Sequence, residues 1–382
     1  MIGFAILGFV LIAVILWDVF ETIILPRRVT RKFRLARLFY RWTWRPWRLI
    51  ACRVRRRNRR ESFLSYYGPL SLLGLFGVWA VVLIFAFAIL HFAAGSAVIS
   101  SLAATGHPGF FTDLYMSGTT FFTLGLGDVT PRTELARLIT VIEAGLGFGF
   151  LAVVISYLPV LYGAFSAREV NISLLDARAG SPPSASEMLR RLAQRNNPQA
   201  LETNLHEWEK WAAELMESHL SYPVLCYFRS QHDNQSWLAA LTTVLDVSAL
   251  LIAYGQGTLK WQAKLTFAIS RHALVDLSQV LNAPPKSFNE ERLPAAELQE
   301  LRALLIQAGL SQCCAEEDRR FGDLRAMYEP YASALSERLL MPVGNWAPQA
   351  KIIENWRTSA WARISSDFES SPLTQSEEKE HF

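Results

Sequence analysis

Charge is missing from two stretches where a soluble chain would carry it. No Asp, Glu, Lys or Arg occurs in residues 1–17 or between Glu61 and Asp113. Uncharged stretches this long exclude a wholly soluble chain and point to helices in a bilayer. Cysteine is scarce as well. Cys52, Cys226, Cys313 and Cys314 form no CxxC pair and no metal-ligand spacing with the seven histidines, which excludes a dithiol redox motif or a Cys/His metal site. All four fall in segments read below as cytosolic, where thiols stay reduced, and the adjacent Cys313 and Cys314 are read as small buried apolar residues. No GxGxxG turn follows residue 165, so the nucleotide-binding Rossmann domain is excluded. No HExxH, phosphate loop or Ser-His-Asp order occurs either, which leaves no enzymatic constellation. His206, His219 and His232, with Glu207 and Asp233, fit no zinc spacing and are read as the polar edge of a helical core. No enzyme activity and no cofactor are expected.

What is present is apolar. Hydrophobic residues make up 51% of the 382, and three stretches reach the roughly 20 residues that a membrane helix needs: Ile2 to Leu25, about Leu70 to Phe92, and Leu135 to Phe165. The first lacks the basic start of a signal peptide and is read as a retained helix. Net charge divides at the same place as hydropathy, +10 over residues 1–167 and −6 over 168–382. Fifteen basic residues and no acid lie between Arg27 and Arg60. Lys and Arg in short loops stay cytoplasmic, so that block is expected inside, the N-terminus outside, and everything after Arg168 in the cytosol.

The block interleaves Arg with Trp, as in Arg41-Trp42-Thr43-Trp44-Arg45-Pro46-Trp47-Arg48. Held between membrane helices, Arg27 to Arg60 is read as a contact for anionic lipids and not as a nucleic-acid patch. Asp18 and Glu21 share a face near the inner end of the first helix, where carboxylates are costly unless partnered. A structural ion pair with the following arginines is expected; a cation or proton site is the alternative.

Between the second and third membrane helices, residues 112–122 form a helix too short to span, with Thr112 as expected N-cap and Asp113 in its first turn. Thr123-Leu124-Gly125-Leu126-Gly127-Asp128 follows, and Val129-Thr130-Pro131 turns the chain onward. Non-helical backbone at membrane depth is tolerated only where it is buried or lines a watery path. A dehydrated cation needs a ring of oxygens, which backbone carbonyls can supply when alternating glycines free the dihedrals. One loop cannot close a ring, so four copies are expected.

Over roughly residues 65–165 the chain resembles the pore-loop potassium channel family, whose filter pattern is Thr-x-Gly-x-Gly-Asp. Thr123, Gly125, Gly127 and Asp128 occupy its fixed positions. The bacterial two-helix pore and the two-pore-domain channels are the nearest comparisons, with an extra N-terminal membrane helix and a C-terminal helical domain added here. The resemblance implies a homotetramer passing K+, with permeant ions at Thr123, Leu124, Gly125 and Leu126, and Asp128 at the outer mouth attracting cations or bracing the filter. The commonest filter has Val at the place of Leu124 and Tyr at the place of Leu126; Leu126 lacks the hydroxyl that ties such a filter to its pore helix. Gly145, Gly147 and Gly149, with Pro159 further on, are implied as a gating hinge. Close helix packing on small residues is the competing reading for the glycines.

The expected architecture is an all-α membrane protein. It divides into a first membrane helix (1–26), a basic cytoplasmic interfacial segment (27–64), a pore domain (65–166, with pore helix 112–122, filter 123–128 and third membrane helix 135–165), a helical cytoplasmic domain (167–369) and a disordered tail (370–382). In the last domain helical patterns recur at about 186–196, 198–219, 235–254, 260–281, 294–309, 320–340 and 346–366. Asp246, in the middle of an otherwise apolar run, marks 237–254 as a core helix and not a fourth span. The function expected is a potassium-selective channel subunit gated at the third helix and regulated by the cytoplasmic domain. The alternatives are a weakly selective cation channel and a non-conducting membrane-anchored sensor.

Overall fold

The apolar run at the N-terminus forms α1, Ile2–Val19, which ends in a π turn at Phe20–Ile24. Its long-range partner is α4, Tyr67–Ala93. The two approach closely at Gly8, where a methyl group would lie 2.9 Å from the Ala86 carbonyl oxygen. In the computed structural model, residues 1–25, 34–95, 98–100, 109–193, 198–231, 234–289, 291–307 and 315–347 are described. The tail 370–382, most of the helix expected at 346–366, Cys313 and Cys314, His232 and Asp233, and the start of the basic segment at 27–33 lie outside the described residues. The chain divides into two compact units, Met1–Gly163 and Ala164–Phe382.

In the first unit the basic segment is helical, as α2, Leu35–Arg53, and α3, Arg57–Ser65. Ala36, Trp44 and Ala51 recur on one face of α2 and are buried. Trp44 packs edge to face on Tyr67, with centroids 4.7 Å apart, and Trp47 stacks on Phe63 at 4.4 Å. Two tryptophans of the block therefore serve packing, and Trp42 is the one left exposed. Asp18 ties three helices together. Its carboxylate accepts from the backbone N–H of Leu35 and Ala36, each at 3.1 Å, at the open start of α2, and from the Trp79 indole of α4 at 3.0 Å. The arginine partner expected for this carboxylate pair reaches Glu21 instead: Arg34 Nε lies 3.7 Å from it, and Arg34 also donates to the Glu21 carbonyl.

The elements around the short helix follow. β1, Val98–Ser100, pairs antiparallel with β2, Val129–Pro131, joining the chain before the short helix to the chain after the filter. The short helix α5, Phe110–Phe121, packs against α4, and α6, Glu134–Ala179, runs without interruption past Pro159. The start of α5 comes earlier than Thr112: Gly109 is the N-cap, and its carbonyl accepts from Thr112 N–H at 2.8 Å. Phe110 explains the shift, since its ring packs on Phe85 and Phe92 and draws the first turn onto α4.

Among its described residues the second unit is built from helices. Beyond the end of α6 come α7, Ala185–Ala193, α8, Pro198–Ser221, α9, Trp237–Tyr254, α10, Gly257–Val280, α11, Ala295–Gln307, α12, Ala315–Ala326, and α13, Glu329–Leu339. The single helix expected at 320–340 is two, because Pro330 sits in the first turn of α13 and cannot continue a helix from before it. α8 and α10 lie side by side and α9 is buried along its whole length. Among the described residues, four helices are long and apolar enough to cross a membrane, those containing α1, α4, α6 and α9. In α9, however, Asp246 meets Arg292 from the segment before α11, and Arg292 also donates to Glu329 and to the Gly344 carbonyl. Tyr328 donates to the same carboxylate at 2.5 Å, and the guanidinium lies over the Trp346 ring. Protein surrounds this helix on every side. A second buried arginine, Arg168, bridges Glu169, His219 Nε2 and the carbonyls of Leu225 and Phe228.

Candidate functional site: the filter loop and its supports

Residues 123–128 leave α5 in a backbone of alternating hand. Thr123, Gly125 and Gly127 have φ of 59°, 54° and 77°, while Leu124 and Leu126 between them do not enter the left-handed region. For the two glycines this is cheap. For Thr123, β-branched, it is an outlier that costs on the order of 1–3 kcal/mol and persists only where the surroundings enforce it. The enforcement comes from the last turn of α5. Thr120 carbonyl accepts from Thr123 N–H at 2.9 Å, and Thr119 carbonyl accepts from Leu124 N–H at 2.7 Å. The spacing of the glycines announced positions 125 and 127; the left-handed Thr123 was not legible from it.

In the single chain Leu124 and Leu126 are both largely exposed, at 63% and 64%. Nothing stands within 4 Å of the position a side chain would take at Gly125 or Gly127. Asp128 has partners instead: Tyr115 of α5 donates to it at 3.0 Å, and its other carboxylate oxygen accepts from Val129 N–H at 3.0 Å. A tie from α5 to the loop, of the kind Leu126 lacks the hydroxyl to make, is thus formed two positions on by Tyr115 and Asp128. Tyr115 was missed in the sequence, where one tyrosine in a short aromatic-rich helix carries no signal.

The glycines of α6 separate. A methyl group at Gly147 would lie 2.1 Å from the carbonyl oxygen of Phe121, the last residue of α5, whereas Gly145 and Gly149 have nothing within 4 Å. Gly147 is thus a point of close packing, and Phe150 about one turn on packs against Phe121 with the rings tilted by 48°. Pro159 lies inside the helix. A second group missed in the sequence joins all three pore elements: Glu143 of α6, His91 of α4 and Ser117 of α5, each almost wholly buried. Ser117 Oγ bonds one oxygen of Glu143, and His91 Nε2 lies 3.2 Å from the other.

In sequence, residues 77–161 match the family described as ion channel, a span that includes α5, the filter and the part of α6 just described. Over 222 residues the chain is 22% identical to the uncharacterized membrane protein YdjJ of Bacillus subtilis (strain 168), covering 58% of this chain and 62% of that one, less than two thirds of its length. No solved structure matches the chain. Sequence similarity over this span supports an ion channel in a membrane, and the loop 123–128 lies within the matched span.

Proposed function

We propose that the chain is one subunit of a homotetrameric K+ channel, in which Thr123, Leu124, Gly125, Leu126 and Gly127 of four copies ring permeant K+ with backbone oxygens. The observation that carries this reading is the alternating hand of residues 123–127. A strand whose residues alternate between left- and right-handed conformations turns successive carbonyls to one side, the arrangement that replaces a cation's water shell. α5 supports it, because the C-terminal end of a helix, with its partial negative charge, stands at the inner end of the filter. The exposed apolar face of α6, with Leu138, Val141, Phe148 and Ile155, supports an assembly in which copies and lipid cover it.

The remaining parts of the reading follow from the same frame. Arg27 to Arg60 contacts anionic lipid, with Trp42 and the arginines of α2 and α3 at the headgroups. The positive-inside rule puts the N-terminus outside and the second unit in the cytosol, in the inner membrane of a bacterial cell. Gly145, Gly149 and Pro159 are the bending points of α6 in gating, and the helical unit that follows biases the open and closed states. A second reading, a weakly selective cation channel, is favoured by Leu126, which brings no hydroxyl to the filter.

Reconstitution tests the proposal. Liposomes holding the full chain should take up rubidium, barium should block the uptake, and Gly125→Asp should abolish it. Uptake of sodium equal to that of potassium moves the protein to the second reading, and no ion movement at all overturns the channel.

A further inference from the structure

Ser117 Oγ has one proton and two acceptors. It lies 2.7 Å from the Ile84 carbonyl of α4 and in hydrogen-bond contact with Glu143. When the hydroxyl donates to Ile84, the contact with Glu143 needs a proton on the carboxyl group; when it donates to Glu143, Ile84 goes without. The other carboxyl oxygen faces His91 Nε2, which can hold a proton of its own. Three side chains from three helices thus share a small number of protons with no exposed member, within two turns of the filter on α5.

The remaining charged groups near by are few. On α5, Asp113 is buried one turn before Ser117. On α6, Glu134 and Arg137 pair with one another at the exposed start of the helix, at 3.0 Å. α1 meets the outer end of α4 through Phe4 on Phe92, and its own acids, Asp18 and Glu21, are at its far end. Glu143 and His91 therefore answer chiefly to each other.

We propose that Glu143 is a positioning residue for the filter, clasping α6 to the pore helix through Ser117 and to α4 through His91, and that this clasp is tightened by protons. Protonated, the cluster is a neutral or ion-paired network with its bonds made. Stripped of the shared proton, it leaves a bare carboxylate between apolar helices, a state that parting the helices and admitting water relieves. The clasp fixes the height of α5, whose Thr119 and Thr120 carbonyls hold the first residues of the filter. The inference rests on the channel reading for its consequence and on the buried cluster alone for its chemistry.

The test uses the full chain, in liposomes and in detergent, across a range of about pH 5.5 to 8.5. Wild-type rubidium uptake should fall by about tenfold as pH rises. Glu143→Gln, which keeps the shape and the hydrogen bonds but has no proton to lose, should stay at the low-pH rate throughout; Glu143→Ala should be slow at every pH. Thermal midpoints in detergent should follow the same order, falling with pH in the wild type and flat in Glu143→Gln. If the wild type passes no ions, the channel reading fails while the melting profiles still decide the clasp. A Glu143→Gln profile that keeps the wild-type pH dependence in both measurements overturns the inference. Should Glu143→Ala fail to fold, the Gln variant and His91→Gln, expected to lose most of the dependence, carry the comparison.

Discussion

Tyr115 of α5 and Asp128, the last residue of the loop 123–128, are joined by a 3.0 Å hydrogen bond from phenol to carboxylate. The bond ties the far end of the loop to the helix from which its near end leaves. Tyr115→Phe removes the hydroxyl and little else. In the channel reading it should lower the preference for K+ over Na+ by roughly three- to tenfold, the effect of losing one charge-assisted hydrogen bond, measured as reversal potential under bi-ionic conditions. Asp128→Asn should move selectivity in the same direction.

Asp18 holds the N–H groups that open α2 and the indole of Trp79. Asp18→Ala leaves these donors without an acceptor in a buried site, which should destabilise the first unit by about 3 kcal/mol. The expected signs are a lower melting temperature in detergent and faster proteolysis between α1 and α2. Asp18→Asn, which retains one acceptor oxygen, should lie between.

Gly145, Gly147 and Gly149 of α6 make a discriminating series. Gly147→Ala drives a methyl group into the Phe121 carbonyl and should cost assembly or flux outright, since overpacking against backbone has no flexible side chain to absorb it. Gly145→Ala and Gly149→Ala have room. They should fold normally and, if α6 bends there in gating, shift the fraction of open channels by stiffening the helix. Single-channel open probability separates the two classes.

In the second unit, burial, with the Arg168 guanidinium beside it, holds the His219 imidazole well below its usual range. The unfolded chain takes up this proton near pH 6.5 and the folded chain does not. Its contribution to stability is therefore complete above that pH and is lost as pH falls below it, at up to about 1.4 kcal/mol per pH unit. Asp246 acts with the opposite sign. Burial, opposed by Arg292, pushes its carboxyl up to about 6, so the folded chain binds the extra proton from that pH down to the ordinary carboxylate range and gains stability there. His219→Gln should flatten the acid side of the stability profile of the full chain relative to wild type, whereas Asp246→Asn should steepen it. Denaturation followed by tryptophan fluorescence across pH 4.5–7.5, on the order of that window, reads both.

How much of this could be read from the sequence depends on what each feature requires. Coordination by carbonyls demands glycine at fixed alternate positions, so Gly125 and Gly127 stood out and the membrane helices around them gave the loop its depth. Asp246 likewise marked α9 as a core helix, since an acid amid apolar residues needs a buried partner, and Arg292 is that partner. The supports were hidden for the opposite reason. Tyr115 with Asp128, and His91 with Ser117 and Glu143, are ordinary residues made significant by helices that bring distant positions together, and no local spacing encodes such meetings. The helices α2 and α3 fell between: Ala36, Trp44, Trp47 and Ala51 recur at helical intervals, but the arginines around them carry the stronger signal of a membrane surface.

Residues 123–127 are proposed as a cation filter that prefers K+. Uptake of rubidium and of sodium into liposomes holding the wild-type chain, set beside Gly125→Asp, is the decisive measurement. A K+-preferring filter gives barium-sensitive rubidium uptake well above sodium uptake, and none in the variant. Equal uptake of the two ions, or an unchanged rate in Gly125→Asp, would contradict it.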